Sequence, residues 1–324
     1  MGRIIIVFFL VYLEAFNVSA QTDRQSAMEK STEFVWDSCF HQVEIKSPVD
    51  GKIQKAFFYA AKHEEPRPLV VSLHTWSGNY SSSDTLSILC KQHEINYIHP
   101  DFRGANIMPD ACCSRLALSD MDASIDYAIA HANVDKSKIY VIGVSGGGYA
   151  TLSMIMKSKH QICKFSAWVP ISDLIAWYQE SKTIRPKYAE NIQACVGLRR
   201  GMLNKKEACK RSPMYWKTPV EKMKKSQLQI YVGVNDGIQG SVPITHSINF
   251  YNKVLDDLKE PDSNNYVSED EKRKLLEFRK PLFNCGVIGN RAVCLRKKSG
   301  NVQLTIFMGG HEMLSEYAFN DLLK

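Results

Sequence analysis

The sequence predicts an α/β fold, with helices on both faces of a mostly parallel β-sheet. Short continuous apolar runs, such as 67–74 and 228–235, recur along the chain and are typical of strands buried on both faces. Segments with the apolar periodicity of amphipathic helices separate these runs, for example residues 115–132. Strands that alternate with helices in this way indicate βαβ units and a parallel sheet.

The individual elements can be assigned in chain order. Residues 41–47 and 52–60 flank the turn Pro48-Val49-Asp50-Gly51 and predict an antiparallel hairpin. The other predicted strands are 67–74, 95–100, 139–144, 165–172, 228–235 and 302–308. The predicted helices are 84–93, 115–132, a helix from 147, 242–258 and 312–323. Two segments interrupt the alternation and are predicted to be insertions: 173–226, a helical lid, and about 259–300.

Residues 1–20 have the pattern of a secretory signal peptide. Arg3 precedes a ten-residue apolar core, IIIVFFLVYL, and Val18-Ser19-Ala20 is a small-residue cleavage site. The core is shorter than the roughly 20 apolar residues that a membrane-spanning helix needs. We therefore predict that residues 21–324 form one domain of a secreted or periplasmic protein, which has no membrane anchor after signal cleavage.

The nine cysteines agree with export to an oxidising compartment. Cys195 and Cys209 bracket a polar loop, and Cys285 and Cys294 bracket GVIGNRAV, so we predict two local disulfides. The pairing of the other five cysteines stays open. Because the sequence contains neither a CxxC nor an HExxH motif, we expect no metal and no cofactor.

The segment IYVIGVSGGGYATLSM, residues 139–154, surrounds Ser145 with glycines between a predicted strand and a predicted helix. This G-x-S-x-G pattern is typical of a nucleophile elbow, in which a sharp turn exposes the serine hydroxyl. Gly143 and Gly147 occupy positions where a side chain would collide with the strand or the helix. The backbone N–H of Gly146 would point at a developing oxyanion. The alternative is a tight or phosphate-binding turn without catalysis.

Two further side chains have the chain order and position of the acid and the base of a serine triad. Asp236 follows the predicted strand 228–235, and His311 follows the strand 302–308 in the segment FMGGHEML. The carboxylate would orient the imidazole, which would accept the serine proton and return it to the leaving group. Asp173 is the alternative acid, although its position also suits the N-cap of a helix.

The second oxyanion donor is expected in the loop after strand 67–74, which has the sequence LHTWSGNY. We predict that the backbone N–H of Trp76, or that of Thr75, donates to the oxyanion. The Trp76 side chain either lines the binding pocket or belongs to the core. His74 is expected to stabilise this loop rather than to act as a base.

Five motifs occur in a fixed order: PDFRG (100–104), SDMDASIDYAIAHANVDKSKIYVIGVSGGGYATL (119–152), RSPMYW (211–216), GVNDG (233–237) and GGHEM (309–313). This set resembles the catalytic domain of the prolyl oligopeptidase-like α/β-hydrolases, from about residue 42 onward. The resemblance implies an α/β-hydrolase fold with Ser145, Asp236 and His311 as the triad. Only about twenty residues separate the predicted cleavage site from the first strand. They cannot form the propeller of the family's large peptidases, so the chain looks more like secreted single-domain esterases.

The charge distribution bears on the substrate. Residues 181–230 contain thirteen Lys or Arg against three Asp or Glu, an excess that would attract an anionic molecule. We predict a serine esterase that removes methyl or acetyl groups from an anionic, pectin-like polysaccharide or oligosaccharide through an acyl-enzyme on Ser145. The predicted substrate-binding residues are Trp76, Arg103, Arg185, Arg199, Arg200 and Arg211.

Several alternatives to this function stay open. The alternative function is a serine peptidase that acts on short peptides, which the family resemblance alone supports, and the third is a binding protein that kept the fold without catalysis. The basic segment could serve solubility alone. Arg103 either holds its loop or binds a substrate carboxylate. No nucleic-acid partner is expected, because no binding motif accompanies the positive charge.

Overall fold

A mixed β-sheet of ten strands runs through residues 37–324. The structure is a computed structural model that describes residues 35–324, so the predicted signal peptide, residues 1–20, lies outside the described residues. The strands are β1 (His41–Lys46), β2 (Ile53–Tyr59), β3 (Arg67–Leu73), β4 (Asn96–Pro100), β5 (Val134–Val144), β6 (Lys164–Trp168), β7 (Leu198–Arg199), β8 (Met202–Leu203), β9 (Gln227–Gly233), β10 (Val287–Ile288), β11 (Arg291–Ser299) and β12 (Val302–Phe307). Strands β7 and β8 pair only with each other, and the other ten form the sheet.

Ten α-helices and two short 3₁₀ helices, Pro213–Tyr215 and Ser263–Asn265, occur in this part of the chain. The α-helices are α1 (Thr85–Gln92), α2 (Arg115–His131), α3 (Gly146–Lys157), α4 (Leu174–Ile184), α5 (Pro186–Val196), α6 (Lys205–Lys210), α7 (Val220–Met223), α8 (Thr245–Leu258), α9 (Glu269–Phe278) and α10 (Ser315–Leu322). Within residues 35–324, no helix combines the length and apolar character needed to span a bilayer.

The strand order confirms the predicted α/β architecture. Along the sheet the order is β1-β2-β4-β3-β5-β6-β9-β12-β11-β10. The five central pairs, from β4–β3 to β9–β12, are parallel, and the pairs at both edges are antiparallel. Every residue of β4 and β6 is buried, as expected for strands covered on both faces. Helix α3 is buried along all but its last residue, which places it at the centre of the core.

Two segments differ from the predicted elements. The predicted strand 165–172 ends at Trp168, because Val169 has a φ of 44° and Pro170 has no N–H to donate to a ladder. Strand β11 lies within the predicted second insertion, yet it pairs with β12 and extends the sheet. The antiparallel edge therefore includes chain that the helix–strand alternation does not identify.

The predicted disulfides are not formed in the structure. All nine cysteines are free thiols in the described residues, including both predicted pairs, Cys195–Cys209 and Cys285–Cys294. Cys195, at the end of α5, is hydrogen-bonded to Cys112 instead. Burial raises the pKa of the Cys112 thiol, so this group is a protonated, packed side chain.

The parallel register brings four loops to one edge of the sheet. In the ladders, Leu73 pairs with Gly143, and Gly233 pairs with Phe307. Since parallel strands all end at the same edge, the residues that follow β3, β5, β9 and β12 lie along it. Ligands of open α/β sheets bind at this carboxyl edge. The predicted functional residues at these positions are Trp76, Ser145, Asp236 and His311.

Candidate active site

Ser145 occupies the sharp turn between β5 and α3. Its backbone has φ 58° and ψ −116°, a conformation that a residue with a side chain adopts only at an energetic cost. The Ser145 N–H donates to the Trp168 carbonyl oxygen over 2.9 Å, so the neighbouring strand holds the turn. This strained turn has the geometry of a nucleophile elbow, which presents the serine hydroxyl at the edge of the sheet.

The glycines of this turn permit three close backbone contacts. A Cβ atom on Gly143 would lie 2.4 Å from the Gly147 carbonyl group, and one on Gly147 would lie 2.1 Å from the Leu73 carbonyl oxygen. A Cβ atom on Gly146 would lie 2.2 Å from the Trp76 amide nitrogen. No side chain fits at these distances, which confirms the predicted steric reason for Gly143 and Gly147.

The two predicted oxyanion donors, Gly146 and Trp76, lie on the two backbone segments that make this close contact. Hydrogen bonds hold the Trp76 loop: Gly78 N–H donates to the Thr75 carbonyl over 3.1 Å, and Asn106 N–H donates to the Trp76 carbonyl over 2.9 Å. Preorganised backbone N–H groups beside a serine hydroxyl are suited to stabilise the negative charge of a tetrahedral intermediate.

His74 anchors the start of the same loop. Its buried ring stacks on Phe102 with the centroids 3.9 Å apart. Its Nδ1 and Nε2 atoms each lie 2.9 Å from a carbonyl oxygen, that of Thr75 and that of Asp101 respectively. Burial lowers the pKa of His74 to about 4, although the two carbonyl groups act in the opposite direction. The ring is therefore neutral at pH 7 and stabilises the loop, as the sequence predicts.

Asp236 and His311 form a hydrogen-bonded pair, with Asp236 Oδ2 2.7 Å from His311 Nδ1. The other oxygen, Oδ1, accepts the N–H groups of Gly237 at 2.8 Å and Val242 at 3.1 Å. The Asp236 side chain is fully buried, whereas that of His311 is 21% exposed. A carboxylate placed in this way holds the imidazole with its Nδ1–H toward the acid, so that the Nε2 lone pair is available to accept a proton.

The hydrogen-bond partner of His311 Nε2 in the structure is Ser241, whose Oγ atom lies 3.2 Å away. Ser145 and His311 line one cavity, but it is Ser241 that engages Nε2. Sequence reasoning does not identify Ser241. Its one signal is its position in GIQGS, the loop segment that directly follows Asp236.

A cavity of about 520 Å³ opens at this edge of the sheet, a volume in the range of small-molecule sites. The lining residues are Thr75, Trp76, Ser77, Ser83, Asp84, Thr85, Val144, Ser145, Tyr188, His311, Glu312, Met313 and Ser315. Apart from His311, the charged side chains in this lining are the acidic Asp84 and Glu312. The sequence does not indicate that Tyr188 or Glu312 lines a cavity. Tyr188 is recognisable only as part of the predicted lid, and Glu312 only as the neighbour of the predicted base.

Trp76 borders the cavity but belongs mainly to the core. The residue is 2% exposed, and its ring packs edge-to-face on Trp177 with the centroids 4.7 Å apart. Trp177 in turn packs against Tyr188 at 5.0 Å. These aromatic contacts connect the Trp76 loop to the helices of the predicted lid.

Four arginines that the charge pattern assigns to substrate binding do not line the cavity: Arg185, Arg199, Arg200 and Arg211. Arg185 lies between α4 and α5, and Arg199 and Arg200 lie in the β7–β8 hairpin. Arg211 is buried, because its guanidinium group bonds to Glu207 and to two backbone carbonyl groups. The basic side chains of residues 181–230 therefore lie outside the lining of the cavity that contains Ser145.

Arg103, the fifth predicted substrate-binding arginine, holds a loop instead. Its Nε atom lies 2.5 Å from Asp120 Oδ2, and its Nη1 and Nη2 atoms lie 2.8 and 2.9 Å from the two oxygens of Asp50. The side chain is 3% exposed and that of Asp120 is 1% exposed. This network joins the β1–β2 turn to helix α2. Of the two roles that the sequence leaves open for Arg103, the structure favours the structural one.

Asp173, the alternative acid, caps helix α4. Its Oδ1 atom accepts the N–H groups of Ile175 at 2.8 Å and Ala176 at 3.2 Å, and its Oδ2 atom accepts the Tyr215 hydroxyl at 2.8 Å. The predicted N-cap role is confirmed. Within residues 35–324, no group of three or more His, Cys, Asp or Glu side chains has an arrangement that could coordinate a metal ion.

Residues 115–265 match the model of the prolyl oligopeptidase family. The matched segment contains Ser145 and Asp236 and ends before His311. No curated protein sequence matches the chain. The family match makes this segment, just under half of the chain, similar to prolyl oligopeptidases, and the fold around it is α/β.

Several solved structures are similar in fold. Pyrococcus horikoshii acylaminoacyl peptidase matches with a TM-score of 0.59 and 15% identity, over 87% of this chain and 40% of that one. A Mycobacterium tuberculosis puromycin-hydrolyzing peptidase matches with a TM-score of 0.57 and 14% identity, over 87% of this chain and 37% of that one. Galerina marginata prolyl oligopeptidase B matches with a TM-score of 0.52 and 15% identity, over 67% of this chain and 31% of that one. The chain spans less than half the length of these proteins, and at these identities the likeness establishes the fold.

We expect Arg103→Ala to lower the free energy of unfolding by about 3–5 kcal/mol, because Asp120 would stay buried without its cationic partner. Urea denaturation of the purified protein measures this loss. The matched control is the double variant Arg103→Ala/Asp120→Ala, which removes both charges and should recover part of the stability. A single variant that is no less stable than the double variant would contradict the network.

We expect His74 to make the unfolding free energy depend on pH. The folded-state pKa of about 4 lies below the value of about 6.5 in an unfolded chain, so the neutral ring stabilises the fold above pH 6.5. This contribution is lost as the pH falls from 6.5 toward 4, by about 3 kcal/mol in total. Urea denaturation at pH 7 and pH 4.5 measures the change. His74→Asn should have a lower unfolding free energy than the wild type at pH 7, but it should lose less of that free energy on acidification. Equal losses in both proteins would refute the assignment of the pH dependence to His74.

Proposed function

We propose that this protein is a serine hydrolase, and specifically a peptidase that cleaves short peptides through an acyl-enzyme on Ser145. The observation that carries the proposal is the arrangement at the sheet edge. A strained, partly buried serine, a carboxylate-oriented imidazole and the Trp76 loop line one cavity, and Gly146 lies against the Trp76 backbone. The family match to prolyl oligopeptidases, and the peptidases among proteins of the same fold, support an amide substrate.

In the proposed reaction, Ser145 Oγ attacks the peptide carbonyl carbon while His311 Nε2 accepts the hydroxyl proton. Asp236 stabilises the imidazolium, and the backbone N–H groups of Gly146 and Trp76 stabilise the oxyanion. The C–N bond then breaks as Nε2 returns the proton to the leaving amine, which leaves an acyl-enzyme. Water, deprotonated by His311, attacks the acyl carbonyl group and releases the carboxylic acid and Ser145.

The charge of the cavity separates the peptide proposal from the predicted ester substrate. The lining contains no Lys or Arg, and its two carboxylates are Asp84, which is buried and hydrogen-bonded, and Glu312, which pairs with Arg291. Nothing in this lining would attract a polyanion such as pectin, whereas a neutral or cationic peptide would be tolerated. Removal of methyl or acetyl groups from an acidic polysaccharide stays a prediction from the sequence. It requires the same chemistry at Ser145, with an alkoxide or alcohol as the leaving group.

Export remains part of the proposal, and it is carried by the sequence of residues 1–20. Secretion or passage to a periplasm would expose the enzyme to extracellular peptides. Expression of the full chain, followed by N-terminal sequencing of the protein recovered outside the cytoplasm, tests both export and cleavage near Ala20.

We expect the wild-type protein to hydrolyse N-acylated peptide p-nitroanilides, and Ser145→Ala to reduce kcat/KM by about 10⁴- to 10⁶-fold. The reduction follows because the variant lacks the nucleophile and retains only binding and oxyanion stabilisation. Initial rates over a panel of peptide amides measure the effect. The same panel should include methyl- and acetyl-esterified pectic oligosaccharides.

The outcomes distinguish the candidate functions. Hydrolysis of peptide amides by the wild type and not by Ser145→Ala supports the peptidase. Release of methanol or acetate from the pectic oligosaccharides, with the peptide amides intact, would replace it with the predicted esterase. A folded protein that neither reacts with a fluorophosphonate nor cleaves either substrate would be a binding protein, and both proposals would fail.

A further inference from the structure

Ser241 competes with the nucleophile for one atom of the catalytic base. His311 has its Nδ1 atom 2.7 Å from Asp236, so in the neutral ring Nδ1 carries the proton and Nε2 carries the lone pair. The Ser241 hydroxyl, 3.2 Å from Nε2, then donates to that lone pair. One lone pair accepts one strong hydrogen bond, so the imidazole cannot bond to Ser241 and accept the Ser145 proton at the same time.

The backbone around Ser241 is held from two sides. On one side, the Trp177 indole Nε1–H donates to the Ser241 carbonyl oxygen over 2.9 Å. On the other side, the Val242 N–H donates to Asp236 Oδ1 over 3.1 Å. The backbone of Ser241 is therefore held by its loop and by helix α4, and this keeps the side chain beside the imidazole.

Gly240 brings this loop close enough for the contact. A Cβ atom at position 240 would lie 2.2 Å from Asp236 Oδ1 and 2.4 Å from His311 Cβ. The loop thus passes directly over the acid–base pair, and only glycine leaves room for it. Ser241, the next residue, therefore lies at the end of the imidazole that is remote from Asp236, beside Nε2.

We propose that Ser241 is a positioning residue that holds the His311 imidazole in a resting arrangement, bonded to Ser241 instead of Ser145. Each turnover then begins when Nε2 exchanges the Ser241 hydroxyl for that of Ser145. The inference rests on the proposed function, because it assumes that Ser145 is the nucleophile and His311 its base. The exchange moves no covalent bond and needs no co-reactant.

The aromatic contacts connect this arrangement to the cavity. Trp177, which holds the Ser241 carbonyl, packs on Trp76 at 4.7 Å, and Trp76 carries one of the oxyanion donors. Helix α4 therefore contacts both the Ser241 loop and the Trp76 loop, which borders the cavity.

The test uses the rate at which a fluorophosphonate labels Ser145, because labelling requires the nucleophile and base but no peptide substrate. The maximal labelling rate constant and the reagent affinity are measured separately for the wild type, Ser241→Ala and Ser241→Thr. Removal of the competing hydroxyl should raise the maximal rate constant about 2- to 10-fold, the effect of one net hydrogen bond. The reagent affinity should not change, and Ser241→Thr, which keeps a hydroxyl, should stay near the wild-type rate.

Ile238→Ala is the matched control for disturbance of the loop, since Ile238 is exposed in the same segment, and it should label like the wild type. An unchanged or lower rate constant in Ser241→Ala would overturn the inference. Equal acceleration by Ser241→Thr would overturn it as well, because the hydroxyl would then not be the cause.

The same experiment separates this inference from the proposed function. If the wild type is labelled at Ser145 but cleaves no peptide, the peptidase proposal fails while the labelling rates still decide the role of Ser241. If folded wild-type protein is not labelled at all, Ser145 is not an activated nucleophile, and both proposals are wrong.

Discussion

The site depends on the close contact between the Ser145 turn and the loop that follows β3. Gly146 approaches the Trp76 backbone so closely that no Cβ atom fits between them. This contact brings the Gly146 and Trp76 backbones together next to Ser145, and it follows from the parallel ladder that aligns the ends of β3 and β5. The strained backbone of Ser145 is maintained by the same packing, since helix α3 is buried along almost its whole length.

Charge in this protein is distributed in a way that residue counts do not reveal. The basic side chains of the segment between β6 and β9 bond to nearby acids and carbonyl groups or lie away from the cavity, whereas the cavity itself is bordered by Asp84 and Glu312. Glu312 is paired with Arg291 at 3.0 Å, so part of its charge is neutralised locally. A net charge of +7 therefore describes the surface as a whole and not the site.

The two residues of the acid–base pair, Asp236 and His311, differ in how firmly the structure holds them. Asp236 is buried and accepts three hydrogen bonds, two of them from its own loop, so its position is strongly determined. His311 is partly exposed, and its outer nitrogen bonds to the Ser241 hydroxyl. Movement of the aspartate would break the two hydrogen bonds that it accepts from its own loop.

The sequence by itself determined the α/β class, most of the strands and helices, and the identity of Ser145, Asp236 and His311 as residues at strand ends, because apolar periodicity and glycine spacing are local properties of the chain. Only the tertiary structure decided that β11 joins the sheet, that Cys195 meets Cys112 and that Arg103 pairs with Asp50 and Asp120. It also decided that no basic side chain lines the cavity and that Ser241 contacts the base. Each of these depends on which distant segments pack together, and neither composition nor periodicity records that choice.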